Sequence, residues 1–292
     1  MIIELGTDKT PQLRLQDLPV LPSVITRLMS LDRHSRSYSE DVEALISVDP
    51  GFAAQVLAAA NSAASAPASP ICAIPSALAR IGSTFAVDQL MARGISRVFV
   101  PRDDRERALW QHSIQVALAA KEIETRTGAS GHDPDETYVA GLLHDIGRFV
   151  MFQEAPEVFR AIDETDWDVP ASLVEMERDR FGLDHAELGA LACRTSSVPS
   201  TLTEVVRFHH EPQASPAGRM ARLTSVIHLA DLAMFPSTTA QRPDHPGVYE
   251  TSVERGLLQA IPSWMKLTSE QLREITAGAT EEAAMLCSEL GI

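Results

Sequence analysis

A chain of 292 residues can hold one large domain or two small ones, and 45% hydrophobic residues with only 5% aromatics favour Ala-, Leu-, Ile- and Val-rich helix packing over aromatic-rich strands. Forty acidic against 25 basic residues give a net charge of -15, with no basic stripe to neutralise phosphates, which argues against general nucleic-acid binding. The same acidity repels anionic lipids and phosphorylated molecules unless a bound cation or an Arg cluster reverses the field locally.

Cys72, Cys193 and Cys287 are odd in number, far apart and without CxxC spacing, so they read as small buried hydrophobes of a reducing compartment rather than as a disulfide or thiolate framework. No stretch is long and apolar enough to span a membrane, and the N-terminus lacks a basic segment followed by an apolar run. The expectation is a cytoplasmic chain with no membrane partner.

Residues 1–17 have weak periodicity and read as an arm. Pro19 and Pro22 force an extended entry, after which Val24, Ile25, Leu28 and Leu31 follow at helical spacing. Ser37 with Glu40 predicts a capping box for a helix carrying Val42, Leu45 and Ile46. Asp49 and Pro50 open the next helix, which ends near Asn61, a residue type suited to a C-terminal cap. Pro67, Pro70 and Pro75 mark a loop, helical patterns resume from Ser76 to Gly82 and from Phe85 to Phe99, and the charged run Pro101 to Arg105 is the candidate boundary.

The next helix runs from Asp103 to about Gly128, its inward stripe formed by Leu109, Val116, Ala120 and Ile123, with His112 beside that stripe. Asp133, Pro134 and Asp135 start a helix with the apolar face Val139, Leu142, Leu143, Ile146 and Val150, and this helix carries the adjacent pair His144 and Asp145. Imidazole and carboxylate are both ligands for first-row divalent metals, whereas an unpaired buried carboxylate is costly. Neighbours on a regular helix point about 100° apart, so both reach one centre only if it lies close over that turn.

Helices are expected around 157–165 and 170–181. Asp184 and Glu187 cap a helix with His185 at its mouth, a short helix ends in His209 and His210, and Asp231 lies in an apolar helix three residues after His228. His228 fits either a group orienting a ligand or plain core, and His34, His132 and His245 read as surface residues. Pro236, Pro243, Pro246 and Gly247 predict a loop over 236–249, followed by helices near 250–260 and from Thr268, capped by Gln271, to about Leu290. The last presents the stripe Ile275, Ala279, Ala283, Leu286 and Leu290, which should pack on the domain.

The series His112, His144-Asp145, His185, His209-His210 and Asp231 resembles the HD superfamily of metal-dependent phosphohydrolases, in particular its HD-GYP branch, which cleaves cyclic dinucleotides. Leu18 to Pro22, Ile46 to Pro50, Leu57 to Ala63 and Ile74 to Gly82, in that order, resemble the HDOD domain of bacterial signalling proteins. The resemblance implies an all-α fold, with an N-terminal helical lobe (18–102) packed on a modified HD-type core (103–235) and a helical extension (236–292). It implies metal-ligand positions at His112, His144, Asp145, His185, His209, His210 and Asp231, for one or two divalent transition metal ions, Fe or Mn. The function implied is regulatory, through contacts with signalling proteins. The alternative is a metal-dependent phosphohydrolase acting on a phosphodiester or nucleotide, with Asp145 and Arg148 as catalytic positions and a phosphorylated small molecule as ligand. The chain departs from the enzymes at Ala108, where some place a glutamate, at Arg148, where a lysine is usual, and after His210, where no Gly-Tyr-Pro follows.

Overall fold

The computed structural model describes residues 22–62, 65, 67–94, 104–163, 170–196, 198–239 and 261–290. Among them all regular structure is helical. The N-terminal arm, the connector at 101–103, His245 and the helix expected near 250–260 lie outside the described residues.

The first lobe consists of α1 (Pro22–Ser30), α2 (Tyr38–Ser47), α3 (Pro50–Ala60), α4 (Ile74–Ile81) and α5 (Ser83–Gly94). Asp49 caps α3 as expected, accepting from Phe52 N at 3.0 Å, with Pro50 in the first turn, where its missing N–H costs nothing. Asn61 ends α3, donates to the carbonyls of Leu57 and Ile71, and accepts from Ile71 N, so it ties the loop back to the helix. The capping box expected at Ser37 is absent. Ser37 has φ -85° and ψ -2°, a helical rather than extended backbone, and its hydroxyl donates to Asp41 at 2.8 Å instead of accepting from the helix start.

The second lobe is built on α6 (Asp104–Thr127), against which α7 (Pro134–Leu143) and α13 (Arg219–Thr239) pack. Gly141 permits the α6–α7 approach, since a Cβ there would sit 2.8 Å from Ala117 Cα. The layer is completed by α8 (Ile146–Glu154), α9 (Pro156–Asp163), α10 (Pro170–Phe181), α11 (His185–Thr195) and α12 (Ser200–Phe208). The last helix, α14 (Ser269–Leu290), has the expected Thr268–Gln271 capping box and lays its stripe, including Ile275, Ala279 and Ala283, against α6 and α13. One apolar core runs from Val24 through Phe52, Ile114, Leu142 and Ile227 to Ile275, and Tyr138 on α7 donates to Ser47 O across the lobes.

Three further expectations need correction. The helix expected to carry Val139 to Val150 is not continuous: α7 stops at Leu143, Asp145 has φ -96° and ψ 16°, and α8 starts afresh at Ile146. His132 is not a plain surface residue but half-buried, its Nδ1 3.2 Å from Glu136 Oε2. The loop expected over 236–249 does not start at Pro236, because α13 runs on through Thr239, and residues 240–249 lie outside the described residues.

Candidate metal centre

His144 keeps helical angles, φ -52° and ψ -41°, and the departure at Asp145, φ -96° and ψ 16°, makes the corner between α7 and α8 at which both side chains face one centre. His112 comes from α6, His185 from the first position of α11, His209 and His210 from the end of α12, and Asp231 from α13. All seven residues expected as ligands therefore meet in one cluster.

Asp145 is its hub. Its Oδ1 lies 3.1 Å from His185 Nε2 and 3.6 Å from the Nε2 atoms of His144 and His209, and its Oδ2 lies 3.9 Å from His112 Nε2. Asp231 Oδ1 is 3.2 Å from His112 Nε2 and 3.7 Å from His144 Nε2, while its Oδ2 is 3.8 Å from His210 Nδ1. The atoms form overlapping groups: Asp145 with His185, His209 and His210; His112 and His144 with Asp145; and His144 and His209 with Asp231.

The tautomers fit a cation. His144 Nδ1 is 2.7 Å from Gly141 O and His209 Nδ1 is 2.9 Å from Val206 O; a carbonyl only accepts, so the proton sits on Nδ1 and Nε2 is turned to the centre. His185 Nδ1 is 2.5 Å from Glu177 Oε2, and its Nε2 lies 2.8 Å from His210 Nε2 and 3.3 Å from His209 Nε2. Nitrogens converging so closely repel through their lone pairs unless a proton or a metal ion stands between them. His144 Nε2 and Asp231 Oδ2 are buried without a hydrogen-bond partner, which a bound ion would supply.

The electrostatics agree. Burial alone would raise the carboxyls of Asp145 and Asp231, but the surrounding imidazoles outweigh it and hold both well below the usual carboxylate range. Burial would lower His185, and the carboxylates of Glu177 and Asp145 instead carry it up to about 10. Burial, helped by neighbouring imidazoles, keeps His209 below the ordinary histidine value and His210 well below it.

Sequence reading missed Glu177. It lies on α10 among Glu175, Arg178, Asp179 and Arg180, with nothing in its spacing to separate it from a solvated face, yet it is 1% exposed and accepts from both the backbone N and Nδ1 of His185. His228 is half-buried and its Nδ1 donates to the backbone carbonyl of His209 at 2.6 Å. Arg148 is buried on α8, its guanidine Nε 4.0 Å from Glu177 Oε1 and its guanidine carbon 5.2 Å from the centre of the Phe159 ring.

The HDOD domain model matches residues 18–212. The chain belongs to the HDOD family. A relative by sequence, an uncharacterized protein of Treponema pallidum (strain Nichols), is 26% identical over 266 residues; these make up 90% of this chain and 49% of the relative, so the chain spans about half its length. Among solved structures, the MmoQ response regulator of Methylococcus capsulatus str. Bath aligns with a TM-score of 0.69 at 21% identity, covering 90% of this chain and 98% of that one. A virulence factor of Campylobacter jejuni subsp. jejuni aligns with a TM-score of 0.65 at 16% identity, covering 91% and 93%. At these identities the likeness establishes a shared fold alone. Among the described residues no single helix is long and apolar enough to cross a membrane.

Proposed function

We propose that this HDOD chain is a cytoplasmic regulatory module of signal transduction that acts by contacting partner proteins, with its His/Asp cluster holding a divalent transition metal as an internal brace. Enclosure carries this reading: His112 is 8% exposed, and His144, Asp145, His185, His209 and Asp231 are each 5% exposed or less. Closed ligand sets serve structural metals, whereas catalytic sites keep a position open to water and substrate. Only His210, whose side chain is 17% exposed, offers an approach. The imidazole and carboxylate donors, with no thiolate among them, suit Fe or Mn. The name of the Methylococcus relative, a response regulator, and the three buried free cysteines are consistent with a signalling role in a reducing compartment.

The test pairs elemental analysis of the untagged protein with a phosphodiesterase assay in added Mn(II). A bound transition metal without turnover supports the regulatory reading. An enzyme-like rate that disappears in a folded His144→Ala variant overturns it.

One observation favours a second reading, a metal-dependent phosphohydrolase: two of the ligand groups share Asp145, as a pair of bridged ions requires. Bound ions would then supply Lewis acidity and an activated water, Asp145 would be the bridge, and Arg148 would hold a phosphate oxygen. The same assay decides between the two.

A further inference from the structure

Glu177 and Arg148 form a second layer behind the cluster. Glu177 Oε2 receives two hydrogen bonds from one residue, His185 N at 2.9 Å and His185 Nδ1 at 2.5 Å, while its Oε1 faces Arg148 Nε at 4.0 Å. Two donors from a single residue on a single oxygen define the plane of the ring as well as its position. The far side of the same ring presents Nε2 to Asp145 Oδ1 at 3.1 Å, so the imidazole is held between two carboxylates with opposite ends committed. Arg148 reaches this place because its neighbour is Gly147: a Cβ there would come within 1.8 Å of His185 O, so only a glycine lets α8 pass so near the start of α11. The ring of Phe159 covers the guanidinium.

We propose that Glu177 is a positioning residue for the metal centre, fixing the ring plane and the Nδ1–H of His185 so that Nε2 faces the ligand cluster, and that Arg148 is the counter-ion of Glu177 rather than a clamp for phosphate. This rests on the metal-holding reading above for its purpose, but the geometry it asserts exists with or without an ion. An ion pair buried only for stability would serve no better than an apolar pair of similar volume. A carboxylate hydrogen-bonded to the outer nitrogen of a ligating histidine raises ligand basicity and orientation together.

The experiment uses the full chain and its Glu177→Ala, Glu177→Gln and Arg148→Ala variants, with circular dichroism as the check on folding. Proton–nitrogen NMR of the ring should show a slowly exchanging Nδ1–H of His185, identified by its loss in His185→Gln. It should vanish in Glu177→Ala and persist in Glu177→Gln, whose amide oxygen still accepts. Calorimetric titration with Mn(II) should show affinity falling about 10- to 100-fold in Glu177→Ala, about tenfold in Arg148→Ala, and recovering most of the way in Glu177→Gln. No protected Nδ1–H in the wild type, or a folded Glu177→Ala that binds Mn(II) as tightly as the wild type, overturns the role of Glu177. Full affinity in a folded Arg148→Ala overturns that of Arg148. A wild type that takes up no Mn(II) yet keeps the resonance pattern supports the positioning geometry and removes the metal reading instead. If Glu177→Ala does not fold, the wild-type resonance and Glu177→Gln decide.

Discussion

At the scale of single residues, the cluster is a set of charges that only partly neutralise one another. Without an ion, His185 is the cation that balances Asp145 and Glu177, which is why its pKa reaches about 10 despite burial. A raised histidine stabilises the fold fully below its unfolded value of about 6.5 and loses that contribution as pH rises through the folded value. The chelator-treated chain should therefore melt at progressively lower temperature from about pH 6.5 to about 10. The buried thiols of Cys72, Cys193 and Cys287, pushed up to about 12, 12 and 11 by burial, add a similar trend above about pH 8.5. The difference between wild type and His185→Gln across a series of calorimetric melts isolates the imidazole. If the two profiles run parallel, His185 is not the balancing cation. On the acid side, Asp145 and Asp231, both held low, stabilise above about pH 3.9 and lose that contribution as the pH falls below it.

At the scale of elements, the site depends on how closely α8 and α11 approach. Gly147 and Gly189 face each other there: a Cβ on Gly147 would overlap His185 O at 1.8 Å, and one on Gly189 would lie 2.9 Å from Gly147 N. The obstructing atoms are backbone and cannot rotate away, so Gly147→Ala should cost about 1–3 kcal/mol and displace His185 from Asp145. Gly278 on exposed α14 meets nothing within 4 Å, and Gly278→Ala should stabilise by about 0.5–1 kcal/mol through helix propensity. Urea melts of the two variants check the contrast, and equal effects would show that the α8–α11 contact does not constrain the corner. Periodicity and caps made most helices legible, including α3 with Asp49 and Pro50 and α11 with its Asp184–Glu187 box. The break at His144 and Asp145 was not legible, because the apolar spacing of Leu142, Leu143, Ile146 and Val150 passes through it without interruption. Ser37 misled for the opposite reason: the cap residue and its acid are in place, but a preceding turn, with Ser37 N donating to Ser35 Oγ, fixes its backbone as helical.

At the scale of the whole molecule, the cluster residues span His112 to Asp231 and arrive on α6, the α7–α8 corner, α11, α12 and α13, while Glu177, hydrogen-bonded to His185, comes from α10. The seven candidate ligands were legible through the resemblance of their series to HD-type metal positions, since His112 taken alone reads as a core histidine. Glu177 was not, because what distinguishes it is a partner eight positions on along the chain that folding brings behind it. An ion held at this centre would join segments that the unfolded chain leaves far apart, so binding to the folded state alone should raise stability as its free concentration exceeds Kd, by about 2.7 kcal/mol at a hundredfold excess. Mn(II) added to the chelator-treated chain should raise the melting temperature in a saturable way. The shift should disappear in His144→Ala, which removes a ligand whose Nε2 has no other partner, and in Asp145→Asn, which removes the charge at the hub. It should survive in Arg126→Ala, which breaks only the surface contacts to Glu122 and Glu274. A shift of equal size in all three variants would place the ion on the acidic surface, where the net charge of -15 attracts cations without a built site, and not among the histidines.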